Sequence, residues 1–201
     1  MKQALIVVGI LVLVVGGFLM WSFGTYDDAV QLQEQSNQTW ADVQADYQRR
    51  ADLIPNLVST VKGYAAHEKE TLTAVVEARA KATSMTIDPS NLNAETMQKF
   101  QAAQGELSGA LSRLLVSVER YPDLKANQNF LTLQSQLEGT ENRITTSRKR
   151  YNEAVTSYNT FIRGKLKSMA LGMVGGTDEF PKKELFEAAA GSDVAPSVSF
   201  E

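Results

Sequence analysis

His67 carries the side chain best suited to metal binding or acid–base chemistry, and it is the one histidine among 201 residues. A metal site on a helix would need further ligands three or four residues away from it. Those positions hold Gly63, Tyr64, Glu70 and Thr71, so Glu70 alone offers a ligand. One imidazole and one carboxylate make a poor coordination set. We therefore expect His67 to be a partly exposed helical residue.

A second group with chemical potential, Arg49, Arg50 and Asp52, stands shortly before Pro55, with Asp46 one helical turn earlier. Such a group could recognise an acidic partner or a lipid head group. It could also be structural, with Asp52 capping a helix and an arginine paired with Asp46. We favour the structural interpretation, because capping oxygens and arginine–carboxylate pairs are common where helices end.

The densest basic cluster is Arg148, Lys149 and Arg150, and Arg143 shares a helix face with Arg150 because the two are seven residues apart. This cluster could bind an anionic lipid or an acidic tail, including residues 178–201 of the same chain. Acidic residues stand close to it in the sequence, which favours a solvated mixed-charge face. They are Glu138, Glu141 and Glu153.

Composition excludes much catalytic chemistry. Without cysteine there is no disulfide, thiolate metal site, iron–sulfur cluster or cysteine nucleophile. A net charge of −3 argues against binding a nucleic-acid backbone, which needs a clustered basic surface. We find no phosphate-binding loop, no catalytic carboxylate pair and no Ser/His/Asp set. The sequence thus predicts a protein that is not an enzyme and has no cofactor, metal ion or nucleic-acid partner.

The N-terminus is an apolar segment long enough to cross a bilayer. Residues 4–21 carry no charge, and about 20 helical residues span about 30 Å of hydrocarbon. We predict one transmembrane helix that contacts the lipid bilayer through residues 4–24, with Trp21 and Tyr26 at the membrane–water interface. The alternative is a signal peptide cleaved near residues 22–24, but the apolar segment is longer than such peptides usually have.

The charges that flank this segment predict its orientation. Lys2 and the terminal amine precede it, whereas Asp27, Asp28 and Glu34 follow it. The positive-inside rule therefore places the N-terminus in the cytoplasm and the remainder of the chain on the outer side of the membrane.

The remainder has the residue spacing of long helices. Apolar residues recur every three or four positions, as in Leu107, Leu111, Leu114 and Val118, which is the coiled-coil-like pattern of helices that bury one face. We expect three breaks: at Asp52 as the N-cap before Pro55, at residues 88–91, and at Pro122.

These breaks predict an all-α fold in three parts. Residues 1–25 form the transmembrane anchor, and residues 26–165 form an antiparallel up-and-down four-helix bundle. Its helices cover about 26–51, 53–84, 93–120 and 124–165. A largely irregular tail occupies residues 166–201. An alternative keeps 26–84 as one rod with a kink at Pro55.

Three blocks of sequence resemble the LemA family. The first surrounds Gln48-Arg49-Arg50-Ala51-Asp52-Leu53-Ile54-Pro55-Asn56, the second covers 137–144 and 150–163, and the third lies in the tail at 186–200. The resemblance covers residues 22–201. It marks the following candidate functional positions: Arg49, Arg50, Asp52, Pro55, Asn56, Glu141, Asn142, Arg143, Arg150, Tyr151 and Asn152.

The resemblance implies an N-terminally anchored bacterial helical-bundle protein without an established catalytic activity. We therefore expect a single-pass protein of the bacterial cytoplasmic membrane that acts at the cell envelope as a non-enzymatic interaction or scaffold protein. Its partner would be an unidentified membrane or envelope protein. The alternative is an accessory subunit or regulator of a membrane enzyme such as a protease.

Overall fold

The structure, a computed structural model, describes residues 1–65, 67–85, 87–89, 92–176 and 178–187. All the regular elements in these residues are helices. They are α1 (Lys2–Tyr64), α2 (Lys69–Thr83), α3 (Ala94–Val118), α4 (Pro122–Lys125), α5 (Gln128–Arg163) and α6 (Lys165–Val174). The all-α class and the N-terminal apolar helix are confirmed. The predicted helix 53–84 is wrong in its bounds, because residues up to Tyr64 belong to α1 and α2 covers Lys69–Thr83.

The predicted break at Asp52 is also wrong, because α1 continues through Pro55 to Tyr64. Proline lacks the N–H that would bond to the carbonyl four residues earlier, which here belongs to the buried Ala51. The guanidinium of Arg79 on α2 replaces that donor, with its Nε 2.7 Å from the Ala51 oxygen. Asp52 caps nothing; its carboxylate accepts a hydrogen bond from Gln48 at 2.7 Å.

This replacement leads to a testable prediction about Arg79. The variant Arg79→Met should lose about 1–3 kcal/mol of unfolding free energy, because it leaves a half-buried carbonyl without a donor. In the variant that also carries Pro55→Ala, position 55 supplies its own N–H, so the loss from Arg79→Met should shrink. Urea denaturation of the two single variants and the double variant measures this coupling. Lys81→Met is the control, because its exposed ion pair with Glu106 should contribute at most about 1 kcal/mol. Additive losses would contradict the prediction.

The predicted breaks at 88–91 and at Pro122 are confirmed, since α2 ends at Thr83, α3 covers Ala94–Val118 and α4 begins at Pro122. The predicted helix 124–165 is instead divided, because α5 begins at Gln128 after α4 has ended at Lys125. Asn93 and Thr96 form a reciprocal capping box that starts α3, with the Asn93 carboxamide oxygen 2.9 Å from the Thr96 backbone nitrogen. Pro122 opens the short α4, and the Asn127 side chain then caps α5 at 3.1 Å from the Phe130 nitrogen. Residues 90 and 91 of the loop expected at 88–91 lie outside the described residues.

Helix α1 lies beside α2, α5 and α6, and α3 lies beside α2. At the end of α1 that is far from the apolar segment, side chains of α1, α2, α3, α4 and α5 share one core. Nearer to the apolar segment, the second core surrounds Trp40 and the third surrounds Ala29. In these two cores, Leu171 of α6 and Phe180 and Phe186 of residues 178–187 pack against side chains of α1 and α5.

Residues 166–187 therefore differ from the irregular tail predicted for them. Residues 165–174 form α6, which packs against α1 and α5. Residues 178–187, here named the strap, have no regular secondary structure, but Phe180 and Phe186 are buried in the cores and Lys183 is buried between them. The tail motif beyond Glu187 lies outside the described residues. Phe180 and Phe186 are six positions apart, and two residues at that distance establish neither a helical nor a strand periodicity, so the sequence interpretation left this segment irregular.

Candidate binding groove

The predicted positions around Arg50 build a structural bridge. Arg50 is 2% exposed, and its Nη1 lies 2.8 Å from the Ser108 hydroxyl and 3.0 Å from a carboxylate oxygen of Glu141. Its Nη2 lies 2.7 Å from the Gln104 side-chain oxygen. The guanidinium thereby joins α1, α3 and α5. Arg49, Asp52, Pro55 and Asn56 are exposed on α1 and are not brought into this bridge.

The candidate positions in the second block of sequence, residues 137–144 and 150–163, divide into exposed and buried ones. Asn142, Arg143 and Arg150 are exposed on α5. Arg143, and not Arg49 or Arg50, is the arginine that faces Asp46, at 3.8 Å between its Nε and the carboxylate. Tyr151 is buried and Asn152 is half-buried, and both point to the strap. His67 is exposed in the turn between α1 and α2, and the described residues contain no group of three or more residues suited to hold a metal ion.

Two Tyr-Asn pairs on α5, seven residues apart, bind the backbone of the strap. In the first, the Tyr158 hydroxyl donates to the Pro181 carbonyl at 3.0 Å, while the Asn159 carboxamide donates to the Lys183 carbonyl at 2.8 Å and accepts from its N–H at 3.0 Å. In the second, Tyr151 donates to the Glu184 carbonyl at 2.9 Å. Asn152 holds both backbone groups of Phe186, at 3.0 and 2.9 Å.

The spacing of the two pairs matches an extended chain. Seven residues advance a helix by about 10.5 Å, and three residues of extended chain cover about 10 Å. Each pair therefore meets the strap at an equivalent position, three residues further along. Burial in the strap has the same period, since Phe180, Lys183 and Phe186 are 5–8% exposed. A period of three is that of a polyproline II-type chain and not that of a β-strand.

The two phenylalanines of the strap enter aromatic pockets. The Phe186 ring stacks on Trp40 with 5.7 Å between centroids, and it lies 5.5 Å from the Tyr151 ring. Arg148 covers its outer side, with the guanidinium carbon 4.7 Å from the ring centroid. Phe180 meets the edge of Tyr26 at 5.4 Å. Tyr26, expected at the membrane interface, therefore also contacts the strap.

Lys183 occupies the middle pocket. Its ammonium group donates to the Asn37 side-chain oxygen at 2.6 Å and lies 5.8 Å from the Tyr158 ring centroid. Burial lowers the pKa of Lys183, and the nearby charge of Glu34 acts against that shift. The pocket thus accepts a cation, although it holds it away from water.

Burial also raises the pKa of Tyr158 to about 12 and raises the pKa of Tyr151. An exposed tyrosine in the unfolded chain titrates near pH 10. Between about pH 10 and 12 the folded chain therefore binds more protons at Tyr158 than the unfolded chain does, and this contribution to stability falls as the pH rises. Ionised Tyr158 also cannot donate to Pro181.

This pKa shift predicts how the variant Tyr158→Phe depends on pH. Its deficit in unfolding free energy relative to the natural chain should be largest below about pH 10 and should shrink towards pH 12. Urea denaturation at pH 8, 10 and 11.5 measures the deficit, and the comparison cancels the opposite effect of Lys183, which both chains contain. A deficit that stays constant over this range would contradict the assignment of the raised pKa.

The sequence interpretation found half of this groove. Tyr151 and Asn152 were candidate positions, whereas Tyr158, Asn159 and Asn37 were not, and no partner for them was identified. Two signals could have indicated the groove. One is the repeat Tyr-Asn-x₅-Tyr-Asn, which puts both pairs on one helix face. The other is the pattern Phe-x₂-Lys-x₂-Phe at 180–186, whose period of three suits an extended segment.

Comparison with known proteins adds two similarities. The family model described as "LemA family" matches residues 39–200, a span that includes Trp40, both Tyr-Asn pairs and the strap. The chain is also similar to "Protein LemA" of Metamycoplasma hominis, with 24% identity over 151 residues. That alignment covers 75% of this chain and 65% of the relative, which is just under two thirds of the relative's length.

Proposed function

Because the chain belongs to the LemA family, we propose that it is a single-pass, membrane-anchored, non-enzymatic interaction protein of the bacterial envelope. The observation that carries this proposal is the continuity of α1 from the apolar segment into the packed cores. In its N-terminal part α1 is long and apolar enough to cross a membrane, and 6% of its most apolar 18-residue stretch is buried against the rest of the protein. Such an exposed apolar surface needs a nonaqueous environment.

The described residues from 26 to 187 are here called the body. The continuous helix α1 would hold this body at a fixed position relative to the bilayer. Residues 26–64 of α1 extend about 60 Å beyond the apolar segment. We propose that α1, α2, α3 and α5 form an antiparallel up-and-down four-helix bundle within the body. Lys2 before the apolar segment and Asp27 and Asp28 after it favour a cytoplasmic N-terminus and a bundle on the outer side of the cytoplasmic membrane.

Helix α6 would provide a second contact with the bilayer. It packs against α1, and its Leu171 shares a core with Ala29 and Tyr26, close to the end of the apolar segment. Its outer face exposes Leu166, Met169 and Met173, which recur at the spacing of one helix face. Ten residues are too short to span the bilayer but suit the interface, where apolar side chains enter and lysines remain in water.

The position of α6 gives a prediction for reconstituted protein. A fluorophore on Met169→Cys should be quenched by spin-labelled lipids, and one on Asp123→Cys, at the opposite end of the body, should not be. Each label is unique because the natural chain has no cysteine. Quenching at position 123 with none at 169 would reject the membrane contact of α6.

The non-enzymatic role is supported by where the candidate residues lie. Arg50 and Glu141 join helices, Tyr151 and Asn152 hold the strap, and the remaining candidates are exposed on α1 and α5. We propose that the body binds a membrane or envelope protein. Crosslinking in native membranes, followed by purification in mild detergent, should recover such a partner in stoichiometric amount with the full chain. Recovery of none would contradict the proposal, and recovery of a protease whose activity changes on binding would favour a regulatory role.

A further inference from the structure

We propose that the groove between α1 and α5 binds an extended segment of another membrane protein, and that the strap occupies this groove as an intramolecular competitor. The segment would carry aromatic residues at its first and seventh positions and a basic residue at its fourth. This inference rests on the proposed role as an interaction protein and specifies the chemistry of the partner.

The contacts from the Tyr-Asn pairs are independent of the bound sequence. Tyr151, Asn152, Tyr158 and Asn159 make six hydrogen bonds to the strap, and all six involve backbone atoms of the strap. Any extended chain presents the same carbonyl and N–H groups at the same three-residue interval. Backbone bonds of this kind give affinity, whereas pockets for selected side chains give specificity.

Three pockets supply that specificity. The first and the last accept aromatic rings beside Tyr26 and Trp40, where Phe180 and Phe186 now lie. The middle pocket offers the Asn37 oxygen at 2.6 Å and the face of the Tyr158 ring to a cation, with Glu34 as the nearby negative charge. The remaining described strap residues are exposed or half-buried, and among them the Glu179 carboxylate accepts a hydrogen bond from the Tyr26 hydroxyl.

The direction of the strap indicates how a partner would approach. Phe180 lies beside Tyr26, just beyond the apolar segment, and Phe186 lies beside Trp40, about 21 Å further along α1. A bound segment therefore runs from the membrane outwards in its N-to-C direction. A segment that directly follows a transmembrane span and leaves the same membrane surface has this geometry.

The proposed competition requires the strap to leave the groove, and two glycines, Gly175 and Gly176, lie between the last residue of α6 and the strap. Gly175 approaches Tyr26 so closely that a Cβ atom there would lie 2.6 Å from the ring, and Gly176 has a φ of 91°, which favours glycine. A tethered strap acts at an effective concentration of about millimolar for short flexible linkers. A competing segment must also be concentrated near the groove, and anchoring both proteins in one bilayer provides that concentration.

The test measures binding of a fluorescent peptide with the sequence of residues 178–187 to the full chain in detergent. The variants are Phe186→Ala, which weakens the strap, and Phe186→Ala combined with Asn152→Ala and Asn159→Ala, which also removes the four hydrogen bonds that the two asparagines make to a bound backbone. We expect the single variant to bind the peptide at least about tenfold more tightly than the natural chain, because its own strap competes less. The triple variant should bind at least about tenfold more weakly than the single variant.

Further measurements keep the outcomes distinct. Phe180→Ala is a second strap-weakening variant that leaves the Trp40 pocket filled, and circular dichroism checks the helicity of each variant. A peptide with alanine at both phenylalanine positions should bind at least about tenfold more weakly. Equal binding of both peptides, or peptide binding that the asparagine substitutions leave unchanged, would overturn the inference. Dimers of the natural chain that the peptide dissociates would assign the groove to a second copy, and so would overturn the choice of partner.

Membrane pelleting of the same variants separates this inference from the proposed function. A chain that remains in the membrane fraction and crosslinks to a partner, but does not bind the peptide, retains the proposed function and lacks the groove activity. A chain that binds the peptide but does not pellet with membranes overturns the anchored role alone.

Discussion

Replacing Trp40 by alanine is expected to lower the free energy of unfolding by about 3–5 kcal/mol. Trp40 is fully buried, and its ring lies 5.4 Å from Phe100 and 5.3 Å from Tyr151, besides its stacking with Phe186. The substitution would leave a cavity where α1, α3, α5 and the strap meet. Urea denaturation followed by far-ultraviolet circular dichroism measures the loss. Removal of Trp40 should also weaken the docking of the strap, because Phe186 would lose the ring on which it stacks.

Trp21→Ala is the matched control for Trp40→Ala. The chain has two tryptophans, and Trp21 is 42% exposed on α1 at the end of the apolar segment. Its replacement should change the unfolding free energy of the body by at most about 0.5 kcal/mol in detergent. Similar small losses in the two variants would mean that Trp40 does not occupy the centre of a packed core.

Removal of residues 1–20 is expected to transfer the chain almost completely from the membrane fraction to the soluble fraction. Most side chains in this stretch are exposed, so their loss removes little core packing while it removes the surface that enters the bilayer. The shortened chain retains Ser22 and Thr25, which are buried on α1. Its helicity should therefore persist, as measured by circular dichroism. Alkaline extraction of membranes followed by sedimentation measures the transfer.

A full-length variant with Val12→Arg is the matched control for this deletion. A charge at the centre of a membrane helix costs about 2.5–3.5 kcal/mol on insertion scales, so this variant should be partly released. Mass spectrometry of the mature N-terminus addresses the alternative of a cleaved signal peptide. A natural chain that lacks residues 1–22 in cells, or a shortened chain that loses its helicity, would contradict the prediction.

Local chemistry explains which helix ends could be predicted from the sequence. The start of α3 was predicted at 93, where the Asn93 side chain bonds to a backbone group three residues ahead. The Asn127 side chain caps α5 in the same way, although the start of that helix was predicted at about 124. Such caps act over one turn and are visible in the sequence. Asp52 and Pro55 present a similar local pattern, but the helix continues through them. The deciding contact comes from Arg79, 28 residues away from Ala51.

The groove also combines residues that a local sequence pattern indicates with contacts between residues far apart in the chain. Its Tyr-Asn pairs stand at a regular helical interval that the sequence displays, and Tyr151 and Asn152 were found as candidate positions. Asn37 and Lys183 could not be matched from the sequence, because 146 residues separate them and neither lies in a periodic apolar pattern. Within residues 178–187, the contacts of Arg148, part of a basic cluster, are with the Glu187 carbonyl and the Phe186 ring and not with an acidic side chain.

The sequence by itself determined the features that depend on neighbouring residues: the all-helical class, the apolar N-terminal helix, the local caps and the membership of the LemA family. Helical periodicity and capping are short-range properties, so one stretch of chain contains all the information they need. The tertiary structure alone decided that α1 passes through Pro55 and that residues 178–187 dock between α1 and α5. Both outcomes depend on donors and pockets supplied by distant segments, since a buried backbone group is stabilised by whichever partner the fold brings to it.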